Sequence, residues 1–139
     1  MDEVNPRYIT FSLGGMVFEY DEDKNLKNIR KHGISFKNAA RVFFDYDRIE
    51  FFDEDNSASE ERYDTIGDTS AGLNNVFSDR GGTTIGNISG FTGKKADVLY
   101  VVYTERMRRD NNGCEIEVTR IISARMATSF ERGLYYGKY

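Results

Sequence analysis

The sequence predicts a mixed α+β domain: an antiparallel sheet of about four to five strands packed on two N-terminal helices, plus a C-terminal helix. Alternating apolar residues indicate strands at several places, and two stretches near the N-terminus have the spacing and end signals of helices. With 139 residues, ten Phe and nine Tyr, the chain is long enough for one domain with one core. The sequence therefore predicts that residues 1–139 form a single domain. Helices are expected to cover one face of its sheet and to leave the other face open to bind a ligand.

The N-terminal half predicts one strand and two helices. Residues 17–20 alternate as a strand does, and Asp21 then suits a helix N-cap. Basic residues fill the last turn before Gly33, which can take the left-handed conformation that ends a helix. Ser35 suits the cap of a second helix. The apolar residues of that helix recur at helical spacing and should face the core: Phe36, Ala39, Ala40 and Phe43.

The C-terminal half predicts strands at residues 48–52 and 61–66, with Gly67 closing the second. Residues 98–103 are nearly continuously apolar, as in a central strand covered on both faces. A polar turn over residues 107–115 contains Asn112-Gly113, which favours a hairpin to a strand at 116–124. The sequence from Thr128 to Glu131 has the capping-box pattern of a last helix.

Residues 68–96 differ from the rest of the chain. They contain six Gly and little apolar periodicity, so we predict a long hairpin extension or a loop, with extra strands as an open alternative.

Charge distribution says more than the total of −4. Residues 45–72 carry ten acids and two bases, whereas residues 21–44 and 94–139 each sum to +3. Binding of a polyanion depends on such local basic surfaces. From its first residues we expect no secretory signal, and a single cysteine, Cys114, can form neither an internal disulfide nor a zinc site alone. No P-loop or calcium loop is present, so we expect no metal and no cofactor.

Arginine side chains on predicted strands are the strongest functional signal. Arg62, Arg106, Arg120 and Arg125 lie on or at the ends of strands, where an Arg seldom occurs without a partner or a ligand. The planar guanidinium matches phosphate oxygens, so a phosphate-binding face is one interpretation. Ion pairing, for example of Arg62 with Glu60, is the other. Basic residues also lie on the first helix: Lys24, Lys27, Arg30 and Lys31.

Several strings of the sequence closely resemble BrnT-type toxins. The most specific are the one around Lys31-His32-Gly33 and the one around Ile122-Ser123-Ala124-Arg125. The resemblance covers most of residues 17–136 and departs from the family at Tyr20, where a Trp is usual. A second departure is the Gly-rich insertion at about residues 73–96. Further matching strings are Phe18-Glu19-Tyr20-Asp21, Glu61-Arg62-Tyr63 and Leu99-Tyr100-Val101-Val102-Tyr103-Thr104-Glu105-Arg106.

The resemblance implies the toxin of a type II toxin-antitoxin system with a RelE-like fold. Such a protein is implied to cut RNA in the cytoplasm, without a metal, and to block translation. A BrnA-like antitoxin is implied to neutralise it, and the ribbon-helix-helix domain of that antitoxin lets the complex bind promoter DNA. The other hypothesis is a non-catalytic, toxin-derived module that engages such a partner and regulates transcription.

Metal-free cleavage of RNA requires cations for the phosphate and groups that move protons. We predict that Arg62, Arg106 and Arg125 hold the phosphate and that Glu105 or His32 transfers protons. His32 precedes Gly33 at a helix end, where capping is its alternative role. The residues predicted to bind RNA are Lys24, Lys27, Lys31 and Arg120.

Overall fold

In a computed structural model that describes residues 7–70 and 97–137, a six-stranded sheet has the order β1-β2-β6-β5-β4-β3. The strands are β1 Tyr8–Leu13, β2 Met16–Asp21, β3 Ile49–Phe52, β4 Tyr63–Asp68, β5 Val98–Arg109 and β6 Glu115–Met126. The helices are α1 Glu22–His32, α2 Phe36–Ala39 and α3 Ser129–Tyr135. Two 3-10 turns span Ala40–Phe44 and Glu54–Asn56. The mixed α+β class is therefore confirmed.

The prediction of a four- to five-stranded antiparallel sheet is wrong in two respects. Strand β1 was not predicted, although Ile9, Phe11 and Leu13 alternate and pack against the core. Strands β2 and β6 pair in parallel, with Phe18 beside Thr119, while the other neighbours are antiparallel. About a hundred residues separate these two strands in the chain, so local patterns carry no signal for their pairing.

The predicted ends of α1 are confirmed. The Asp21 side chain accepts a hydrogen bond from the Asp23 amide at 2.9 Å, and Gly33 ends the helix at φ 73°. The helix packs on the sheet through amide side chains. Asn28 donates to the carbonyls of Ile34 and Ala124 at 2.9 and 2.8 Å and accepts from the Ala124 amide at 3.2 Å. Because each buried polar atom of Asn28 is paired, this side chain fixes α1 to β6.

The main core lies between the sheet and the segment that runs from α1 to Phe44. The residues predicted to face the core are confirmed: Phe36, Ala39, Ala40 and Phe43 are all buried. Phe18 and Phe36 are fully buried, and the Phe43 and Tyr103 rings meet edge to face at 4.8 Å between centroids. Each such side chain contributes about 1.5–3 kcal/mol through burial. We call this face of the sheet the helix face and its reverse the arginine face.

Helix α3 covers one end of the arginine face, so the expectation that this face is wholly free is wrong. Its Tyr135 packs against a second cluster of buried residues formed by Ile66, Val98 and Ala127. The predicted capping box begins this helix, with Glu131 and Thr128 bonded reciprocally. The remainder of the arginine face, along β5 and β6, is left for polar side chains.

Two predicted boundaries are also wrong. Strand β5 continues to Arg109, so the hairpin turn contains only residues 110–114, with Gly113 at φ 81°. The polar residues of the hairpin extend past the core, where both faces meet water, and so they lack strand-like alternation. Gly67 lies inside β4, where a Cβ would come within 2.9 Å of the Val42 side chain. The predicted loop at 68–96 lies outside the described residues from position 71 onward.

Candidate functional site

A β-bulge decides which arginines share a face. Arg120 and Arg125 are five positions apart on β6, so simple alternation would place them on opposite faces. The pairing of β5 with β6 shifts at Val102/Tyr103, and as a result Arg120 lies opposite Thr104 and Arg125 lies opposite Tyr100. Thr104 and Tyr100 share a face of β5 with Arg106 and Arg108. The extra residue in β6 therefore places Arg125 on the same face as Arg106, Arg108 and Arg120.

Glu19 binds two of these arginines. Its carboxylate, only 4% exposed, accepts bonds from Nε and Nη2 of Arg108 at 3.2 and 2.7 Å and from Nε of Arg120 at 2.7 Å. Burial opposes ionisation of Glu19, but the two guanidinium groups outweigh it and lower its pKa. Arg120 also lies over the Tyr8 ring, 4.3 Å from the centroid. The two arginines are thus held in fixed positions.

Glu60, just before β4, binds Arg106 and also Arg62, a further arginine of this face. Its carboxylate accepts a bond from Nη2 of Arg106 at 2.6 Å and a longer one from Nη2 of Arg62 at 3.5 Å. The Nε of Arg62 is buried without a partner in the described part of the chain. Beside this pair lies a cavity of about 500 Å³, lined in part by Glu60, Thr104 and Arg108.

We call these four arginines the arginine cluster: Arg62, Arg106, Arg108 and Arg120. They share the carboxylates of Glu19 and Glu60, so positive charge is in excess. Within residues 7–70 and 97–137, Arg106 uses only Nη2 and leaves its Nε and Nη1 hydrogens unbonded. Arg108 engages Glu19 through Nε and Nη2 and leaves Nη1 unbonded there. Free donors of this kind can hold phosphate oxygens.

Arg125 does not join this cluster. It pairs with Glu131 of α3 through two bonds of 2.8 and 3.0 Å and lies 4.2 Å from the centroid of the Tyr100 ring. Tyr100 and Arg106 are six residues apart on β5, which corresponds to roughly 20 Å of strand. The structure therefore brings together Arg62, Arg106 and Arg120 but not Arg125, and it adds Arg108, which the sequence did not single out.

Glu105 lies between Thr104 and Arg106 on β5, and alternation along the strand points its side chain to the opposite face from theirs. Its side chain belongs to the helix face, although it also lines the cavity beside Arg106. A hydrogen bond shared with Glu117, together with partial burial and the charge of Glu50, raises the pKa of Glu105 to about 7. A carboxyl group that titrates near neutral pH at the edge of a cavity has the properties of a general acid or base.

The predicted residues of α1 lie on the other side of the sheet. Lys24, Lys27 and Lys31 occupy one exposed flank of the helix, and His32 is half-buried in its last turn. Because α1 packs on the helix face through Asn28, none of these side chains joins the arginine cluster.

Asp64 and Tyr100 form a pair that the sequence analysis missed. The Tyr100 hydroxyl donates to Oδ2 of Asp64, which is 4% exposed. Burial raises the pKa of Asp64 to about 6 and also raises that of Tyr100. The only sequence signal was an acid between Tyr63 and Thr65 in a predicted strand, and its partner 36 residues away could not be inferred.

In the described residues, no three His, Cys, Asp or Glu side chains are grouped so that they could hold a metal ion. Cys114 is exposed in the hairpin turn. None of the helices described is long and apolar enough to cross a membrane.

The fold and the arginine cluster define a small α+β protein with a sheet face suited to anionic, phosphate-bearing ligands. A family model described as the ribonuclease toxin BrnT of type II toxin-antitoxin systems matches residues 20–90, just over half of the chain. The chain therefore belongs to the BrnT family of ribonuclease toxins, and membership of a type II system implies an antitoxin partner. No curated protein matches the chain. The matched range contains α1 and Arg62 but ends before β5 and β6.

Proposed function

We propose that this chain is a metal-independent endoribonuclease that cleaves RNA on the arginine cluster and thereby inhibits translation in the cytoplasm. A BrnA-like ribbon-helix-helix antitoxin neutralises it, and promoter DNA is bound only through that complex. We also propose that the fold is RelE-like. The family match supports the ribonuclease class, and the geometry of the sheet supports the location of the site.

The observation that carries the location is the imbalance of charge on the arginine face. Four guanidinium groups, two of them from β5, share two carboxylates, and Arg106 and Arg108 line one cavity. When the ribose 2′-hydroxyl attacks its own phosphate, negative charge grows on the equatorial oxygens. Free N–H groups of Arg106 and Arg108 would stabilise that charge. Arg62 and Arg120 would orient the RNA strand.

Proton transfer completes the reaction. The 2′-hydroxyl loses its proton as the phosphorus–oxygen bond forms, and the leaving 5′-oxygen takes a proton as its bond breaks, so that a 2′,3′-cyclic phosphate and a 5′-hydroxyl result. Glu105 is our first candidate for one of these transfers because it borders the cavity and titrates near neutral pH. His32, Arg125, Lys24, Lys27 and Lys31 remain proposed contacts for parts of the RNA beyond the cavity.

Cleavage of a labelled single-stranded RNA, with EDTA present, tests this proposal. We expect Arg106→Ala and Arg108→Ala each to reduce kcat/KM, whereas Arg109→Ala, whose guanidinium is paired with Glu115 near the hairpin turn, leaves it nearly unchanged. Equal activity of all three variants with intact folding would remove the arginine cluster as the site. Loss of wild-type activity in EDTA, restored by a divalent metal, would contradict metal independence.

The second candidate is the non-catalytic module, and the pairing of every arginine in the cluster with a carboxylate favours it. Expression of the chain alone separates the two. A catalytic toxin arrests growth, and Arg106→Ala relieves the arrest, whereas a module is harmless yet still binds a ribbon-helix-helix partner.

A further inference from the structure

A second cavity of about 500 Å³ is lined by residues of β3, β4 and β5 and shares no lining residue with the first. It combines aromatic rings with carboxyl groups, and the acidic turn that follows β3 forms one wall. The residues on which the argument rests are Phe51, Phe52, Asp53, Asn56, Asp64 and Tyr100.

The carboxyl group of Asp64 has one oxygen without a donor. Its Oδ2 accepts the Tyr100 hydroxyl, but within the described residues its buried Oδ1 receives no hydrogen bond from an amide, guanidinium or hydroxyl donor. The neighbouring carboxyl group is Asp53, whose charge and hydrogen-bonding contact both raise the pKa of Asp64. Two acidic groups in contact, one of them 4% exposed, favour the approach of a positive charge.

Aromatic rings make up the rest of the wall. Phe51 is 40% exposed and meets Tyr100 edge to face at 6.1 Å between centroids, whereas the Phe52 ring lies on the opposite face of β3 and packs on Tyr63. Ring faces attract organic cations, and carboxylates add directed hydrogen bonds to guanidinium groups. The same combination of an aromatic ring and a carboxylate already binds a guanidinium group within this protein. Arg125 lies on the Tyr100 ring and is held at its edge by Glu131.

The negative charge of residues 45–72, several of which line this cavity, disfavours anionic ligands there. Residues 45–72 carry ten acids and two bases, and both bases, Arg48 and Arg62, are paired with glutamates. A polyanion such as RNA is repelled by this surface. A small metal ion prefers a shell of oxygen ligands and gains nothing from aromatic rings. An extended, aromatic-lined cavity instead fits the flat head group and apolar stem of a basic side chain.

From this geometry we infer that the cavity is a receptor site for a basic side chain, an arginine or a lysine, presented by a protein partner. The inference rests on the proposed function in one respect, namely that the antitoxin is the partner that presents the side chain. The site is separate from the arginine cluster, so the RNA and the partner would use surfaces of opposite charge.

The test uses the full chain labelled with nitrogen-15 and two small probes. N-acetyl-arginine amide carries the guanidinium group, and N-acetyl-citrulline amide has nearly the same shape without the charge. We expect the arginine compound alone to shift the amides of residues 51–56, 64 and 100. Asp64→Asn should weaken its binding about tenfold, as loss of one charge-assisted contact would. Asp53→Asn provides a second variant at a less buried position, and Glu115→Gln, at the far hairpin, is the control.

Equal shifts with both probes, or shifts confined to other regions, would overturn the inference. So would shifts of the same amides by MgCl₂ or by a short RNA when the arginine compound has no effect. RNA cleavage is measured on the same samples. A protein that cleaves RNA but ignores the arginine compound contradicts this inference alone, and one that binds the compound without cleaving RNA contradicts the proposed function alone.

Discussion

The two ends of the arginine face use the same side chain for different purposes. At one end, Arg62, Arg106, Arg108 and Arg120 share the carboxylates of Glu19 and Glu60. At the other end, Arg125 is the one arginine among the described residues of the face that pairs with Glu131, and the carboxyl group of Asp64 lies near it. Excess cation at the first end leaves donors for an anionic ligand, whereas excess carboxylate at the second leaves acceptors for a cationic one. The ratio of arginine to carboxylate, more than the presence of arginine, is the basis on which we propose an anionic ligand for the first end and a cationic one for the second.

The largest expected effect is on stability, and it follows from removing the carboxylate of Glu19, which binds two arginines of the first end. Glu19→Ala removes a 4% exposed carboxylate and leaves Arg108 and Arg120 without their acceptor. Because an unpaired charge remains partly buried, we expect a loss of about 3–5 kcal/mol in the free energy of unfolding. Urea denaturation measures it. A loss below about 1 kcal/mol, typical of an exposed pair, would show that this end is not a buried network.

Arg106→Ala should have the next largest effect, on catalysis rather than on stability. Removal of one donor to the developing phosphate charge costs about 100-fold in kcat. Arg125→Ala, at the other end of the face, should reduce kcat by a much smaller factor. Single-turnover cleavage assays compare the two variants, and a larger loss for Arg125→Ala would reverse our assignment of the two ends.

The pKa of Asp64 predicts a dependence of stability on pH. Burial raises this pKa from 3.8 to about 6 in the folded protein, so the folded state binds the proton more tightly than the unfolded state does. The stabilisation is complete below about pH 4 and is lost as the pH rises through 6, by about 3 kcal/mol in total. Asp64→Asn cannot titrate, so its stability relative to wild type should rise across this window. A constant difference between pH 4 and 7 would refute the shift.

Tyr100→Phe is a smaller change at the same end of the arginine face, the end that holds Asp64 and Arg125. The variant keeps the ring beneath Arg125 but removes the hydroxyl that donates to Asp64. We expect a loss of about 1 kcal/mol in the free energy of unfolding and a further rise in the pKa of Asp64, because that hydrogen bond stabilises the carboxylate. Carbon-13 NMR titration of the Asp carboxyl groups measures the pKa, and a fall instead of a rise would contradict the assigned contact.

Local chemistry made much of the fold predictable. The Asp21 cap and the left-handed Gly33 define α1, Ser35 begins α2, and the Thr128–Glu131 box begins α3. Each signal lies within a few residues of the structure that it predicts. The apolar spacing of Phe36, Ala39, Ala40 and Phe43 likewise identified core residues, because helical periodicity and burial are properties of a single segment.

The candidate site was predictable only in part. Residue type and strand position predicted one face for Arg62, Arg106, Arg120 and Arg125, and the structure groups the first three and places Arg125 apart. Arg108 was placed in a turn because the outer part of the hairpin is polar on both faces. The lysines of α1 looked equivalent to the arginines in sequence, but the packing of Asn28 on Ala124 places them on the other face.

By itself, the sequence determined the helices, their ends, the hairpin and the segregation of charge, since these depend on neighbours along the chain. Tertiary structure alone decided the parallel pairing of β2 with β6, the bulge that turns Arg120 and Arg125 to one face, and the contact of Asp64 with Tyr100. Each of these depends on pairing between distant segments, and a shift of one residue in such a pairing moves a side chain to the opposite face of the sheet.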